Sequence, residues 1–312
     1  MEDAEVVATL ALSLVPGIGS ERLRTLVRRF GSAQQALDAS YAQLAAVGGI
    51  SRAAATAINE ARLDEGRDGR RVLERLRVLG ARVVFPGDSD FPALLEEIPE
   101  PPAVLYVWGD VSLFDRPGVA IIGSRNHTSY GAEAARVLAG AVAQRAVVVS
   151  GMARGIDAIA HGAALDASGA SIGVLGNGFG VIYPAANAQL YERMVARGCL
   201  VTEHPPGERP HAGSFPRRNR LISGLARAVV VIEADAKSGA MVTVDAATAQ
   251  GREVMAVPGP ITSRTSYGCN KLIQQGAKPI ICAADIFEEI GLAGDLATIG
   301  RDLSTPAPRV PP

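Results

Sequence analysis

In FPRRNRLISGL, residues 215–225, three arginines and one asparagine fill four consecutive positions directly ahead of an apolar helical stretch. A guanidinium stays charged and presents a planar fork that matches two oxygens of one phosphate. Glu208 is the only acid near Arg217, Arg218 and Arg220 in sequence, so a single internal salt bridge cannot neutralise all three. Cations held beside a helix start suit a polyanion. Asn219 adds an amide, and Phe215 offers a ring for base stacking. A solvated cationic loop explains any one arginine equally well, and at least one of the three is expected to pair with a carboxylate inside the fold.

Other segments offer compatible chemistry. GSR (Gly123, Ser124, Arg125) combines close backbone approach, a hydroxyl and an oxyanion-binding fork. SGMARGID opens a helix, with Gly151 and Gly155 freeing backbone N–H groups for an anion beside Ser150. Its G-x-x-x-G spacing, with no acid ending the preceding strand, is not a dinucleotide fingerprint. Ser150, His161 and Asp157 could be drawn as a hydrolytic triad, but no nucleophile elbow accompanies them. LGNGFGVIYPAAN, from Leu175, lets a phosphate or base come close, or simply reverses the chain. Glu203 and His204 have no third ligand at metal spacing and read as structural hydrogen-bonders. EADAKSG brings Lys237, Ser238 and Gly239 to another helix start, and Lys271 follows a later turn. No metal and no cofactor is expected.

These segments share a position in the pattern. Apolar β-branched runs beginning at Val119, Val147, Ser171, Cys199, Ala228 and Glu253 each stop at a turn of small, polar or cationic residues. Continuous rather than alternating Val/Ile runs mark strands covered on both faces. Strand and helix in alternation imply a parallel sheet with crossovers of one hand, so all six turns gather at the carboxyl edge, where open α/β sheets bind ligands. The expected fold is α/β: an extended Rossmann-like, mostly parallel sheet with helices on both faces, spanning 64–291. Strands over ARVVF and AVLYVWGD extend it at one edge, and a charged amphipathic helix closed by Gly80 precedes them.

Residues 1–63 read as a small all-helical domain of helix-hairpin-helix or SAM-like type. VPGIGSERL, from Val15, and VGGISRAAA, from Val47, repeat one apolar–glycine–serine–helix pattern. Such hairpins can take a DNA phosphate, yet six basic and six acidic residues there give no electrostatic footprint. Residues 292–312 form a proline-rich tail expected to be disordered. Net charge is −1 overall, with a balance of −5 over 1–115 and +4 over 116–291, so the half with the six turns is the positive half. Three scattered cysteines fit a reducing interior, and no signal peptide or membrane-length apolar run is present, so a cytoplasmic protein is expected.

The order GSR, SGMARGIDAIAH, LGNG…YP, FPRRNRLISGL, EADAKSG, VPGP and GCNKLIQQGA resembles the DNA-processing protein A (DprA/Smf) family over roughly residues 70–290. The resemblance implies a dimeric, non-enzymatic protein that binds single-stranded DNA and loads the RecA recombinase during natural transformation. It carries DNA contacts onto Arg125, Phe215, Arg217, Arg218, Asn219, Arg220 and Lys237. Many members continue into a winged-helix-like domain, which this chain is expected to lack. The alternative is a nucleotide-binding sensor or nucleotide-hydrolysing Rossmann-like enzyme. Against hydrolysis, the turn after Glu233 has neither the GGxGT nor the glutamate of related nucleoside-monophosphate hydrolases.

Overall fold

The computed structural model describes residues 3–292; the expected tail lies, from 293 onward, outside the described residues. Six helices come first: α1 (Asp3–Ser13), α2 (Ser20–Phe30), α3 (Ala33–Asp38), α4 (Tyr41–Ala45), α5 (Arg52–Leu63) and α6 (Arg67–Leu79). Then follow β1 (Arg82–Val84), α7 (Ala93–Glu96), β2 (Leu105–Gly109), β3 (Gly118–Ile122), α8 (Ser129–Val142), β4 (Val147–Ser150), α9 (Ile156–Asp166) and β5 (Ser171–Val174). The chain continues through α10 (Ala188–Arg197), β6 (Cys199–Thr202), α11 (Ser214–Gly224), β7 (Ala228–Val231), α12 (Gly239–Ala249), β8 (Glu253–Ala256), α13 (Tyr267–Gln274), β9 (Lys278–Pro279) and α14 (Ala283–Glu289).

All six apolar runs are strands of one nine-stranded sheet, ordered β1-β2-β6-β5-β4-β3-β7-β8-β9. Pairings from β6 through to β9 are parallel, whereas β1 and β2 join antiparallel beyond β6. β4 shows why the runs are continuous. Val147 and Val149 pack into the core under α7, α11, α12 and α13, and Val148 packs into the opposite core under α8, α9 and α14. β9 carried no sequence signal, being two residues long, Lys-Pro.

The two glycine hairpins are built alike. Gly17 and Gly49 both take positive φ (85° and 83°), and the isoleucine after each donates its N–H to the valine carbonyl three residues back. The helices also share a core with the sheet edge, since Leu10, Leu26 and Leu76 belong to one cluster with Tyr106, Phe179 and Leu200. A boundary at 63/64 therefore does not follow the packing. α6 lies so close along α1 that a Cβ on Gly69 would stand 2.3 Å from the Val7 carbonyl oxygen, which places α6 with the bundle.

Candidate nucleic-acid interface

From β3 the chain winds through β4, β5 and β6 to one side; from β7 it winds through β8 and β9 to the other. The turns after β3 and β7 therefore part, and such a switch point is where doubly wound sheets open a crevice. A cleft of about 730 Å³ opens there, lined by Gly123–Asn126 from the β3 turn, Asp235 and Lys237–Ala240 beyond β7, Phe215, Arg218, Asn219 and Ile222 of α11, and Arg264.

Buried Glu233, two residues beyond β7, holds both walls. Its carboxylate accepts from the Thr128 amide at 2.8 Å, the Thr128 hydroxyl at 2.6 Å and the Thr265 hydroxyl at 3.2 Å. Thr128 in turn caps α8. The β3 turn is also pressed onto α9: a Cβ on Gly155 (φ +83°) would stand 2.4 Å from the Ser124 carbonyl oxygen, and Ile156 donates its N–H to that oxygen. Gly155 is thus demanded by packing of the rim.

Arg125 is exposed on this rim, with its guanidinium 5.8 Å from the centre of the Phe215 ring. Phe215 lies 5.4 Å from the exposed ring of Tyr183 at 34°, which makes a two-ring platform beneath one cation. Lys237 is exposed, and beside it Ser238 caps α12 through the Ala240 amide. Gly239 would have open space around a Cβ. Among the described residues neither Arg125 nor Lys237 has a carboxylate partner within ion-pair distance, whereas Arg264 pairs with Asp235. That contact holds the Asp235 carboxyl below its ordinary range.

The arginines of FPRRNR lie within α11, not in a loop ahead of a helix, because the helix begins at Ser214. Helical spacing turns them to different sides. Arg218 is 5% exposed and faces the sheet, where Nη1 donates to the Gly151 carbonyl at 2.6 Å and to the Val174 carbonyl. It thereby pins α11 across the ends of β4 and β5, although its edge still lines the cleft. Burial lowers its pKa to about 10, while Asp157 opposes the shift, so it is charged near neutrality. Arg220 ion-pairs with Glu203 at 2.8 Å, away from the cleft, which meets the expectation that one arginine would find an internal carboxylate. Arg217 is exposed and also faces away from the cleft, toward Gly19 and Ser20. Asn219 lines the cleft and bridges to the Gly239 carbonyl at 3.2 Å.

The remaining candidates are structural or distant. Ser150 is buried and donates to the Ile121 carbonyl at 2.6 Å. Asp157 is buried and accepts from the Gly151 and Ala153 amides; burial pushes its carboxyl up, against the pull of Arg218 and these donors. His161 meets the Ser171 hydroxyl at 2.7 Å through Nδ1, and its Nε2 faces the Met152 amide. Desolvation, aided by Arg218, lowers its pKa to about 3. The hydrolytic triad is therefore not assembled: the Ser150 hydroxyl is engaged with the Ile121 carbonyl, and the His161 ring with Ser171 and the Met152 amide. His204 pairs with Glu208 at 2.6 Å. Among the described residues Lys271 bonds only Gln274, and it stands outside the cleft. No cluster of three or more metal-ligating side chains occurs among the described residues.

Tyr183, Arg264 and Glu233 were not singled out from sequence. The Tyr-Pro turn after the glycine-rich segment pointed to the first. Arg264 sits in an unpatterned turn, and Glu233 reads as the end of a hydrophobic strand.

The model of the family described as DNA recombination-mediator protein A matches residues 82–291. The chain belongs to that family. It is 43% identical over 222 residues to the DNA processing protein DprA of Bacillus subtilis, covering 70% of this chain and 75% of that one. It is 36% identical over 296 residues to Protein Smf of Synechocystis, covering 93% and 74%. Among solved structures, DNA processing protein A of Streptococcus pneumoniae superposes with a TM-score of 0.80 at 30% identity, over 92% of this chain and 98% of that one. The Helicobacter pylori protein, described for its single-stranded DNA binding mode, matches with a TM-score of 0.61 at 31% identity over 67% and 94%. The expected fold class and family are thus both correct.

Proposed function

We propose that this chain binds single-stranded DNA in the β3/β7 cleft and delivers it to the RecA recombinase during natural transformation, as a non-enzymatic homodimer in the cytoplasm. One arrangement carries the reading: Arg125 and Lys237, without carboxylate partners among the described residues, flank an open cleft lined by Phe215, whose ring pairs with that of Tyr183. Unpaired cations draw the backbone with a salt-dependent affinity, and stacked rings accept any base, the combination that single-strand binders use. Phosphates sit over the α12 start at Ser238 and Gly239 and against Gly123 and Ser124. Membership of the recombination-mediator family and likeness to the H. pylori protein support the substrate class. Three unpaired cysteines fit a reducing compartment, and among the described residues no helix is long and apolar enough to cross a membrane.

A gel shift with single- and double-stranded oligonucleotides of one sequence, at two salt concentrations, tests it. The single strand is expected to shift at lower protein concentration, and more so at low salt. Equal or stronger binding of the duplex contradicts the proposal.

A further inference from the structure

α11 has a second cationic side, and it faces the helical bundle. A cleft of about 240 Å³ lies there, where Arg22 and Arg24 of α2 and Arg217 and Arg220 of α11 share the lining with two carboxylates, Glu21 and Glu100. We propose that this cleft is a second phosphate subsite, taking phosphodiesters of the same DNA strand once it has left the β3/β7 cleft; the inference rests on the single-strand reading above.

The four guanidiniums there outnumber the two carboxylates in the lining, and among the described residues most of them are not ion-paired. Among the described residues Arg217, Arg22 and Arg24 make no ion pair: Arg22 donates to the Gly17 carbonyl and Arg24 to the Pro101 carbonyl, each at 2.6 Å. Arg220 has Glu203, but its Nε and Nη1 are buried without a hydrogen-bond acceptor, and its second carboxylate, the largely exposed Glu100, is 3.8 Å away. The amino end of α2 points into the same place, and its N-cap is Gly19, which offers no side-chain acceptor. The Arg217 Nη2 is 3.6 Å from where a Cβ on Gly19 would stand, so a guanidinium is set against the positive end of a helix. Like-signed groups held this closely disfavour the free state, and an anion between them reverses the sign. Burial, with Arg28 and Arg220 nearby, lowers the Arg24 pKa against the opposing pull of Glu21 and Glu100.

The two hairpins differ at this point. In the second, Ser51 caps α5 by accepting from the Ala54 amide, and nothing surrounds Gly48 or Gly49. Only the first hairpin combines an uncapped helix start with a cluster of arginines. It also lies one helix width from the main cleft. Phe215, Arg218 and Asn219 face one side of α11, Arg217 and Arg220 the other, and the helix between them likewise starts without a side-chain cap. A strand passing over the amino end of α11 reaches both.

The test compares a hexamer with a 20-mer of oligo-dT by fluorescence anisotropy, using the full chain. R22Q/R24Q is expected to weaken the 20-mer about tenfold and leave the hexamer within about twofold. The slope of log affinity against log salt should fall by about 1.4 for the 20-mer, the value for two lost single-strand contacts. E100Q, which removes a competing carboxylate, should tighten the 20-mer about two- to threefold and provides a readout should the double variant not fold. An unchanged 20-mer, or equal losses for both lengths, overturns the second subsite while the main cleft stands. A wild-type chain that binds neither oligonucleotide overturns both.

Discussion

Arg125 and Arg218 border the same cleft, yet they meet opposite surroundings. Arg218 lies under α11 with two main-chain carbonyls on its guanidinium and Asp157 beside it, and its charge is spent on holding the helix to the ends of β4 and β5. Arg125 stands on an exposed turn, over an aromatic ring and, among the described residues, without a carboxylate. Two arginines equally prominent in the sequence therefore differ in function: one builds the wall, and the other is available to a ligand. Local compensation, more than the number of guanidiniums, decides what a cationic motif can bind.

The contrast can be broken most forcefully at Arg218. Arg218→Ala strands the buried Asp157 and two carbonyls, and should lower stability by about 3–5 kcal/mol, read as a large drop in Tm. A normal Tm with lost oligo-dT binding would instead make Arg218 a ligand contact. Arg125→Ala should leave Tm unchanged and weaken oligo-dT binding by about 1.5–3 kcal/mol, the usual worth of a hydrogen bond to a charged group; titration of the folded variant decides. Tyr183→Ala, which removes half of the ring platform, should cost about 1–2 kcal/mol of binding without altering the salt slope, since stacking is not ionic.

The pH response sharpens the wall side. His161 is neutral when folded, with a pKa of about 3, against an ordinary 6.5. Below pH 6.5 the unfolded chain takes up a proton that the folded chain refuses, so acid destabilises until about pH 3, with a limiting slope near 1.4 kcal/mol per pH unit. Asp157, whose pKa is raised, works in the opposite direction above its ordinary 3.8. The measurement is therefore the difference in unfolding free energy between wild type and His161→Gln from pH 7 to 4. That difference should change with pH in the sense that the variant loses less on acidification. The smallest effect belongs to Lys271→Ala, which stands outside the cleft and should alter binding less than about twofold.

The sheet was legible because burial on both faces writes itself as uninterrupted Val/Ile runs, and the carboxyl-edge location of the turns follows from topology alone. What sequence could not convey was compensation. Asp157 and Arg218 meet only because α11 crosses the face between β6 and β7, and the acceptors on Arg218 are carbonyls, which every residue possesses. Helix phase inside FPRRNR was equally hidden: starting α11 at Ser214 instead of after the arginines sends Arg217 and Arg220 toward the bundle. Arg264 reaches the cleft, and Tyr183 the Phe215 ring beside it, from short turns that follow no period. The antiparallel edge was foreseen as an extension of the sheet, though not in its direction.

The most direct test is the salt dependence of oligo-dT binding by Arg125→Ala/Lys237→Ala beside wild type, with Tm measured on both. Loss of two phosphate contacts predicts a slope smaller by about 1.4 and an unaltered Tm. A folded double variant with wild-type affinity and slope would contradict a strand held by the uncompensated cations of the β3/β7 cleft.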